Sequence, residues 1–256
     1  MTNSQTEKDL GAELERFVKE QALRFGDVIS YVPAKIEPLQ QLVVAESSDP
    51  SVLSDRLSEK LAVHNNEPWH SAKSLTELEA AIHDCQKCDL WKTRTKFVFG
   101  VGNPHAKVLV IGEAPGADED KQGEPFVGRA GQLLNKMLAA VDFKREEVYI
   151  ANILKSRPPN NRDPKPDEVE ACEPYLWKQI ALLQPKLILC LGRIAGTNLL
   201  KITESLGKMR GQAYDFCGIP VIVTYHPAAL MRNPDWKHGA WEDLKTLRKM
   251  YEELPA

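Results

Sequence analysis

Four short apolar runs stand out in the chain from residue 107 onward. They lie at residues 108–111, 148–154, 187–191 and 221–223. Each run is continuously apolar and too short for a helix of ordinary length, which is typical of strands buried on both faces of a sheet. We therefore predict four buried strands.

Segments with the periodicity of helices alternate with these runs. Apolar residues recur at helical spacing before the second run and near the C terminus, and Pro166 followed by acidic residues starts another helix. The apolar positions are Leu133, Leu134, Met137, Leu138, Val141, Leu244, Leu247 and Tyr251. Strands joined by crossover helices predict an α/β fold, a three-layer αβα sandwich with a central four-stranded, mainly parallel sheet. Ligand sites should then lie beyond the carboxyl ends of the strands.

The N-terminal part has a different pattern. Residues 1–74 mix short apolar runs with polar clusters, so we predict a partly helical, partly disordered acidic extension without chemistry of its own. Residues 74–85 place Leu75, Leu78, Ala81 and Ile82 on one face of a short helix. We expect the globular domain over residues 75–256.

The charge divides unevenly along the chain. The net charge is −3, but residues 1–84 carry 8 Lys and Arg against 15 Asp and Glu, and the remainder carries 25 against 21. The mildly basic remainder is weak support for nucleic-acid binding. No apolar stretch approaches the roughly 18 residues of a membrane span, and the acidic N terminus is unlike a signal peptide. We expect a cytoplasmic protein, a monomer without a membrane partner.

Two strand ends carry candidate chemistry in the first half of the predicted sheet. Gly112-Glu113-Ala114-Pro115-Gly116 follows the first strand, and such a turn lets main-chain amides approach a ligand while Glu113 projects into the crevice. An ordinary loop with a solvated carboxylate is the alternative. Asn152 ends the second strand, and its amide offers the donor and acceptor that reading the edge of a nucleobase requires, or it caps the next turn. Arg157 and Arg162 follow and suit phosphates, or are solvated loop charges.

The fourth strand ends in His226 beside a proline. A lone histidine is more often structural than catalytic, but its place at a strand end favours a site. Leu230 and Met231 next to Arg232 form a candidate wedge that fills the gap left by an extruded base, while the arginine holds a phosphate. A hydrophobic staple for the following turn is the alternative.

Five cysteines in a chain without a secretion signal favour metal binding or burial over a disulfide framework. Cys85 and Cys88 have the C-x-x-C spacing with which two thiolates reach one metal. Cys190 and Cys217 are more simply interpreted as core residues.

Four motifs in this order carry a resemblance. GEAPG, PFVGRAG, N-x-x-K-x-R-P-P-x-N-R and HPAALMRNP together resemble family 4 uracil-DNA glycosylases, across residues 80–252. The resemblance implies base excision repair: uracil flipped out of single- or double-stranded DNA and released by hydrolysis of its N-glycosidic bond. It also implies that Glu113 lies in the catalytic motif, that Gly112 and Ala114 bind the substrate beside it, that Phe126 stacks on the base and Asn152 reads its edge, and that His226 faces uracil O2.

The resemblance further implies a 4Fe-4S cluster held by four cysteines, with a structural role. Cys85, Cys88 and Cys172 match three of them, but Ser156 stands in the place of the fourth. Serine oxygen is a harder ligand than a thiolate. Three arrangements therefore remain open: three thiolates with an oxygen or external ligand, a cluster using a different cysteine, or no cluster.

The chemistry of bond cleavage assigns provisional roles. Breaking the bond leaves a uracil anion and a sugar with oxocarbenium character, so His226 should donate to O2, and Glu113 should stabilise the cation or orient water. Related glycosylases commonly have an aspartate where Ala114 stands. We expect a monofunctional enzyme, since no lysine stands in the motifs where a lyase needs one. A non-catalytic module binding uracil-containing or damaged DNA is the alternative; a nucleotide hydrolase is disfavoured, because the sequence has neither a phosphate loop nor a dense carboxylate cluster.

Overall fold

The computed structural model describes residues 50–255, with the main chain alone for residues 50–54. Most of the predicted acidic extension, residues 1–49, lies outside the described residues. The helices within them are α1 (Pro50–Ala62), α2 (Leu75–Ile82), α3 (Ala117–Gln122), α4 (Arg129–Ala139), α5 (Pro166–Leu183), α6 (Arg193–Leu200), α7 (Leu206–Met209), α8 (Pro227–Arg232) and α9 (Lys237–Glu252). Short 3₁₀ helices lie at Pro68–Ser71, Asp89–Lys92, Arg145–Glu147, Pro159–Asn161 and Pro234–Trp236.

One sheet of six strands forms the centre of this structure. The strands are β1 (Val101–Gly102), β2 (Val108–Gly112), β3 (Tyr149–Asn152), β4 (Leu187–Leu191), β5 (Ala213–Phe216) and β6 (Ile219–Thr224). They are ordered β1-β3-β2-β4-β6-β5. The four middle strands are parallel, and β1 and β5 pair antiparallel at the two edges. The four predicted strands are these middle strands, which confirms the parallel core; the two edge strands were not predicted.

Two hydrophobic cores cover the two faces of the sheet. Leu109 and Ile111 of β2 face the core that contains buried residues of α1, α2, α5 and α6. Val108 and Val110 face the opposite core, which contains buried residues of α4 and α9. Because alternate side chains of a strand point to opposite faces, β2 is buried on both sides. This confirms the predicted three-layer sandwich.

The segment before residue 75 contributes to the first of these cores. Leu57 and Leu61 of α1 and Trp69 are buried there, at 4%, 6% and 2% exposure. The domain boundary at residue 74 stays a prediction. None of the helices in the described range is long and apolar enough to cross a membrane.

Candidate active site

The parallel strands bring Gly112 and Asn152 together at one edge of the sheet. The two residues are direct partners in the β2–β3 register. A side-chain carbon at Gly112 would collide with Asn152 Oδ1 and would lie 2.6 Å from Phe126 Cζ. Only glycine therefore leaves room for both side chains, which places Phe126 beside Asn152 although 26 positions separate them in the sequence.

The Asn152 carboxamide is buried and incompletely bonded. The residue is 2% exposed, and its Oδ1 has no hydrogen-bond partner within residues 50–255. A buried amide oxygen without a partner costs free energy, on the order of 1–3 kcal/mol. Its position at the carboxyl edge of the sheet indicates a site that a ligand donor completes.

Phe126 is held in place by its main chain. Its φ is 54°, in the left-handed region that ordinary residues rarely adopt, and its side chain is buried. Any side chain on Gly131, in the first turn of α4, would collide with the Phe126 carbonyl. The Phe126 ring centroid lies 5.6 Å from that of His226, with the planes tilted by 34°. The two rings thus meet beside Asn152.

Glu119 connects the glycine-rich turn to the loop that carries Phe126. Its carboxylate accepts hydrogen bonds from the Gly116 amide at 3.1 Å and from the Val127 and Gly128 amides at 3.0 Å each. Our sequence reasoning missed this residue. The available signal was the acidic first turn of α3 directly after a glycine, since a carboxylate there reaches back to main-chain amides.

The environment of His226 keeps its imidazole ring neutral. Burial, with a smaller contribution from Arg232, lowers its pKa to about 4. Its Nδ1 accepts a hydrogen bond of 3.1 Å from the Ala228 amide as the N-cap of α8. Because Nδ1 is an acceptor, the proton of the neutral ring must lie on Nε2. Nε2 is then available as a donor.

Glu113 follows β2 at the same sheet edge. Its carbonyl accepts a hydrogen bond of 3.0 Å from the Leu154 amide, which ties it to the segment after Asn152. Burial raises its pKa to about 7, Asp163 adds to the rise, and Arg193 opposes it. A carboxyl near its pKa at neutral pH suits proton transfer. Ala114 is partly buried against the core and supplies no second carboxylate.

The strand before His226 ends in a buried polar network that no pattern in the sequence indicates. Arg210 donates to Asp243 at 2.7 Å, and Thr224 donates to the same carboxylate oxygen at 2.6 Å. The Arg210 guanidinium lies 4.1 Å from the centroid of the Tyr225 ring, which stacks on Trp236 at 5.0 Å. These contacts fix the main chain that leads into His226.

The predicted DNA-contacting arginines have different surroundings. Arg162 donates to both oxygens of Glu168, at 2.8 and 2.5 Å, and so ties the proline-rich loop to the start of α5. Arg157 Nε donates to Asn161 Oδ1 at 2.7 Å. Arg232 is exposed at the end of α8.

The predicted wedge is divided between core and surface. Leu230 is 1% exposed and packs in the core on the α4 and α9 face of the sheet. Met231 is 38% exposed. Of the two side chains, Met231 is therefore the one available to a DNA duplex.

The four candidate cluster ligands converge. Cys85, Cys88, Cys172 and Ser156 line one cavity, together with apolar residues such as Leu90. Cys190 is fully buried in β4, Cys217 lies in the β5–β6 turn, and neither lines this cavity. Among the described residues no three His, Cys, Asp or Glu side chains are grouped to hold a single ion. Three thiols that face one cavity match the thiolate ligands of an iron-sulfur cluster, whereas the serine hydroxyl does not.

The Ser156 hydroxyl accepts a hydrogen bond from an arginine. Arg94 donates to Ser156 Oγ at 3.3 Å and to the Cys85 carbonyl at 2.6 Å. Burial raises the pKa of the Cys172 thiol to about 12, and the Lys155 amide donates to its sulfur at 3.3 Å. The serine hydroxyl thus belongs to the wall of the cavity but differs chemically from the three thiols.

Comparison with known proteins agrees with this arrangement. A model of the uracil DNA glycosylase superfamily matches residues 99–245. The type-4 uracil-DNA glycosylase of Archaeoglobus fulgidus is 44% identical over 186 residues, which cover 70% of this chain and 94% of that protein. The type-4 enzyme of Sulfurisphaera tokodaii is also 44% identical, over 69% of this chain and 84% of its own length. A type-5 uracil-DNA glycosylase of Pyrobaculum aerophilum is 27% identical over 62% of this chain. The chain therefore belongs to the uracil-DNA glycosylase superfamily, within its type-4 group.

Proposed function

We propose that this protein releases uracil from DNA by hydrolysing the N-glycosidic bond, and leaves an abasic site with an intact backbone. The observation that carries the proposal is the meeting of four groups at one sheet edge: the unpaired Asn152 carboxamide, the Phe126 ring, neutral His226 and the raised-pKa carboxyl of Glu113. The protein belongs to the type-4 group, and this membership supports the same reaction.

Recognition of uracil follows from the pocket walls. A base flipped out of the duplex stacks on Phe126, a contact worth about 1–3 kcal/mol in other base-stacking sites. The Asn152 amide pairs with the uracil edge, its nitrogen donating to O4 and its unpaired oxygen accepting from N3–H. Gly112 leaves the space that both side chains need, and the main chain from Gly112 to Ala114 borders the base.

His226 stabilises the departing uracil. As the bond from C1′ to N1 breaks, negative charge develops on uracil O2, and a donor fixed beforehand stabilises it most effectively. The Ala228 amide fixes the proton on His226 Nε2, so the neutral imidazole donates to O2 without changing tautomer. A pKa near 4 keeps this imidazole neutral at physiological pH.

Glu113 acts on the sugar side of the bond. As a carboxylate it stabilises the oxocarbenium character at C1′ and accepts a proton from the attacking water. The water oxygen forms the new bond to C1′, and uracil leaves with the electron pair of the broken bond. Lys155, the lysine of the Asn152 motif, is fully buried, and this burial supports a monofunctional enzyme because a lyase needs an accessible amine.

For DNA contact we propose Arg232 and Arg157 at phosphates and Met231 as the side chain that fills the gap left by the flipped base. The exposure of Met231 and Arg232 at α8 supports this assignment. Arg162 and Leu230 have structural roles instead. Arg162 binds Glu168, and Leu230 packs in the core. The expected substrate is uracil in single- or double-stranded DNA, and the expected state is a cytoplasmic monomer.

We also propose a 4Fe-4S cluster at the cavity of Cys85, Cys88 and Cys172, with Ser156 or an external group as the remaining ligand. The convergence of three thiols supports it, and the distance of Cys190 and Cys217 from the cavity disfavours a cluster that recruits another cysteine. When bound, such a cluster would cross-link three parts of the chain: the loop that contains Cys85 and Cys88, the segment that follows β3, and helix α5. No step of the hydrolysis depends on it.

The test is release of free uracil from a labelled uracil-containing oligonucleotide, in single-stranded and duplex form. Wild-type protein should release uracil, and Glu113→Gln and His226→Ala should lose most of that activity while remaining folded. The exposed Glu124→Gln serves as a matched control. Tight binding of uracil-containing DNA by folded wild-type protein, without release, would support a non-catalytic binding module instead.

A further inference from the structure

Lys155 is a lysine buried inside the protein. Its exposure is 0%, and its ammonium donates to the Asn152 carbonyl at 2.9 Å and to Gln179 Oε1 at 2.6 Å. Its two acceptors are neutral oxygens, and no carboxylate among residues 50–255 forms an ion pair with it. An apolar side chain of similar length would fill the same space without the cost of burying a charge. Packing alone therefore does not explain this lysine.

The main chain of Lys155 is bonded on both sides. Its amide donates to Cys172 Sγ at 3.3 Å, and its carbonyl accepts from the Val98 amide at 2.9 Å. Gln179, its side-chain partner on α5, in turn donates to the Phe99 carbonyl at 3.0 Å. Lys155 is thus fixed from α5 and from the segment before β1.

The segment that Lys155 closes begins with Asn152 and is hydrogen-bonded to the main chain of Gly112 and Glu113. Beyond the end of β3, the Ile153 amide donates to the Gly112 carbonyl and the Leu154 amide to the Glu113 carbonyl, each at 3.0 Å. The Lys155 ammonium returns to the Asn152 carbonyl at the start of the same segment. The orientation of Asn152 and Glu113 therefore depends on how this short segment is held.

We propose that Lys155 is a positioning residue for uracil: by binding the Asn152 carbonyl and Gln179, it fixes the strand end that presents the Asn152 carboxamide to the base. This inference rests on the proposed glycosylase function and assigns a further residue to its base pocket. The lysine does not touch the substrate; it acts through Asn152.

The decisive experiment is a double-mutant cycle on the full-length protein, measured as single-turnover uracil release with enzyme in excess. The variants are Lys155→Met, Asn152→Ala and the double mutant. Lys155→Met keeps most of the side-chain volume and removes the donor. Lys178→Met is the matched control, since Lys178 also donates to a main-chain carbonyl, that of His70, away from the pocket.

Two binding measurements separate positioning from general damage. Inhibition by free uracil reports on the base pocket, whereas binding of DNA with a tetrahydrofuran abasic analogue reports on the remaining DNA contacts. A residue that acts through Asn152 should affect the first and leave the second unchanged. Thermal unfolding shows whether each variant is folded.

We expect Lys155→Met to slow uracil release by about tenfold to a hundredfold, as a small misplacement of a substrate-orienting group does. In the Asn152→Ala background the same change should cost less than about threefold, because coupled residues are not additive. Free uracil should bind more weakly and abasic-analogue DNA should bind equally. Equal losses in both backgrounds, or equal weakening of both ligands, would overturn the proposal.

If Lys155→Met does not fold, Gln179→Leu replaces it in the cycle, since it frees the ammonium from its second acceptor and leaves the lysine in place. A coupled loss of uracil release would support the proposal, and no loss would overturn it. Failure of the wild-type protein to release uracil would instead refute the proposed function. The two outcomes are therefore distinguishable.

Discussion

We expect Glu113 to make the reaction rate depend on pH. Its pKa is raised from 4.5 to about 7 by burial, and its proposed roles require the carboxylate. We therefore expect the single-turnover rate to rise as pH increases through about 7 and then to level off, while His226, with a pKa near 4, stays neutral. Rates measured between about pH 5 and pH 9 check this. Glu113→Gln should lose roughly a hundredfold to ten-thousandfold in rate and all of this pH dependence; a rate that falls with rising pH would show that Glu113 acts as an acid.

Asn152 should determine which base is accepted. Asn152→Asp replaces an amide donor with an oxygen that faces uracil O4, so uracil release should fall at least about a hundredfold. Asn103→Asp is the matched control, because Asn103 Oδ1 only accepts from the His105 amide and an aspartate can do the same. Single-turnover assays on both variants test the assignment. Unchanged uracil release in Asn152→Asp would remove Asn152 from base recognition.

Individual residues differ in how far the sequence predicted them. Gly112, Glu113, Phe126, Asn152 and His226 stood out because they follow strand ends or belong to recognisable motifs, and the structure brings them together. Glu119 and Lys155 were missed because their roles arise from hydrogen bonds between their side chains and main-chain groups, which leave no periodic apolar pattern in the sequence. Leu230 is buried and Met231 is exposed, and the sequence pattern did not distinguish these two adjacent residues.

At the scale of elements, α3 and the loop before α4 are joined by one side chain. Glu119→Ala leaves the Gly116, Val127 and Gly128 amides without their acceptor, so Phe126 should lose its fixed position. We expect uracil release to fall about tenfold to a hundredfold. The control Glu124→Ala removes an exposed carboxylate from the loop before α4 and should change the rate of uracil release little. Single-turnover rates and thermal unfolding of both variants check this, and equal activity of the two variants would contradict the role of Glu119.

Three parts of the chain meet at the cavity lined by Ser156: the loop that contains Cys85 and Cys88, the segment that follows β3, and helix α5. Ser156→Cys supplies a fourth thiolate, so we expect more iron and sulfide per protein, stronger absorbance near about 400 nm and slower loss of that absorbance in air. Iron analysis of anaerobically purified wild type and variant measures this. Cys190→Ser is the control, since Cys190 lies outside the cavity. Equal iron content in wild type and Ser156→Cys would indicate that position 156 is not a ligand position.

The elements themselves were partly predictable. Continuous apolar runs identified the four parallel strands, because burial on both faces demands such runs. The edge strands β1 and β5 are short and partly exposed, so they carry no comparable signal. β3 also ends at Asn152 rather than residue 154, since Ile153 and Leu154 remain apolar and buried although they lie beyond the strand.

At the scale of the whole molecule, α1 and Trp69 should contribute to stability. Each buried side chain of this size contributes about 1.5–3 kcal/mol, and a typical domain has only about 5–15 kcal/mol in total. A fragment of residues 75–256 should therefore unfold at a clearly lower temperature than a fragment of residues 50–256. Thermal unfolding of the two fragments measures this. Equal midpoints would place the domain boundary at residue 74, as the sequence pattern predicts.

The sheet separates two parts of the molecule that evolution can change at different rates. Phe126 packs in one core, and Cys172 with the rest of the cysteine cavity packs against the other. A change between serine and cysteine at position 156 should thus leave the stacking side of the base pocket undisturbed. The segment from Asn152 to Lys155 connects the two parts, since Asn152 lies beside Phe126 and the Lys155 amide donates to Cys172. We expect neighbouring lineages to vary at the cysteines sooner than along that segment.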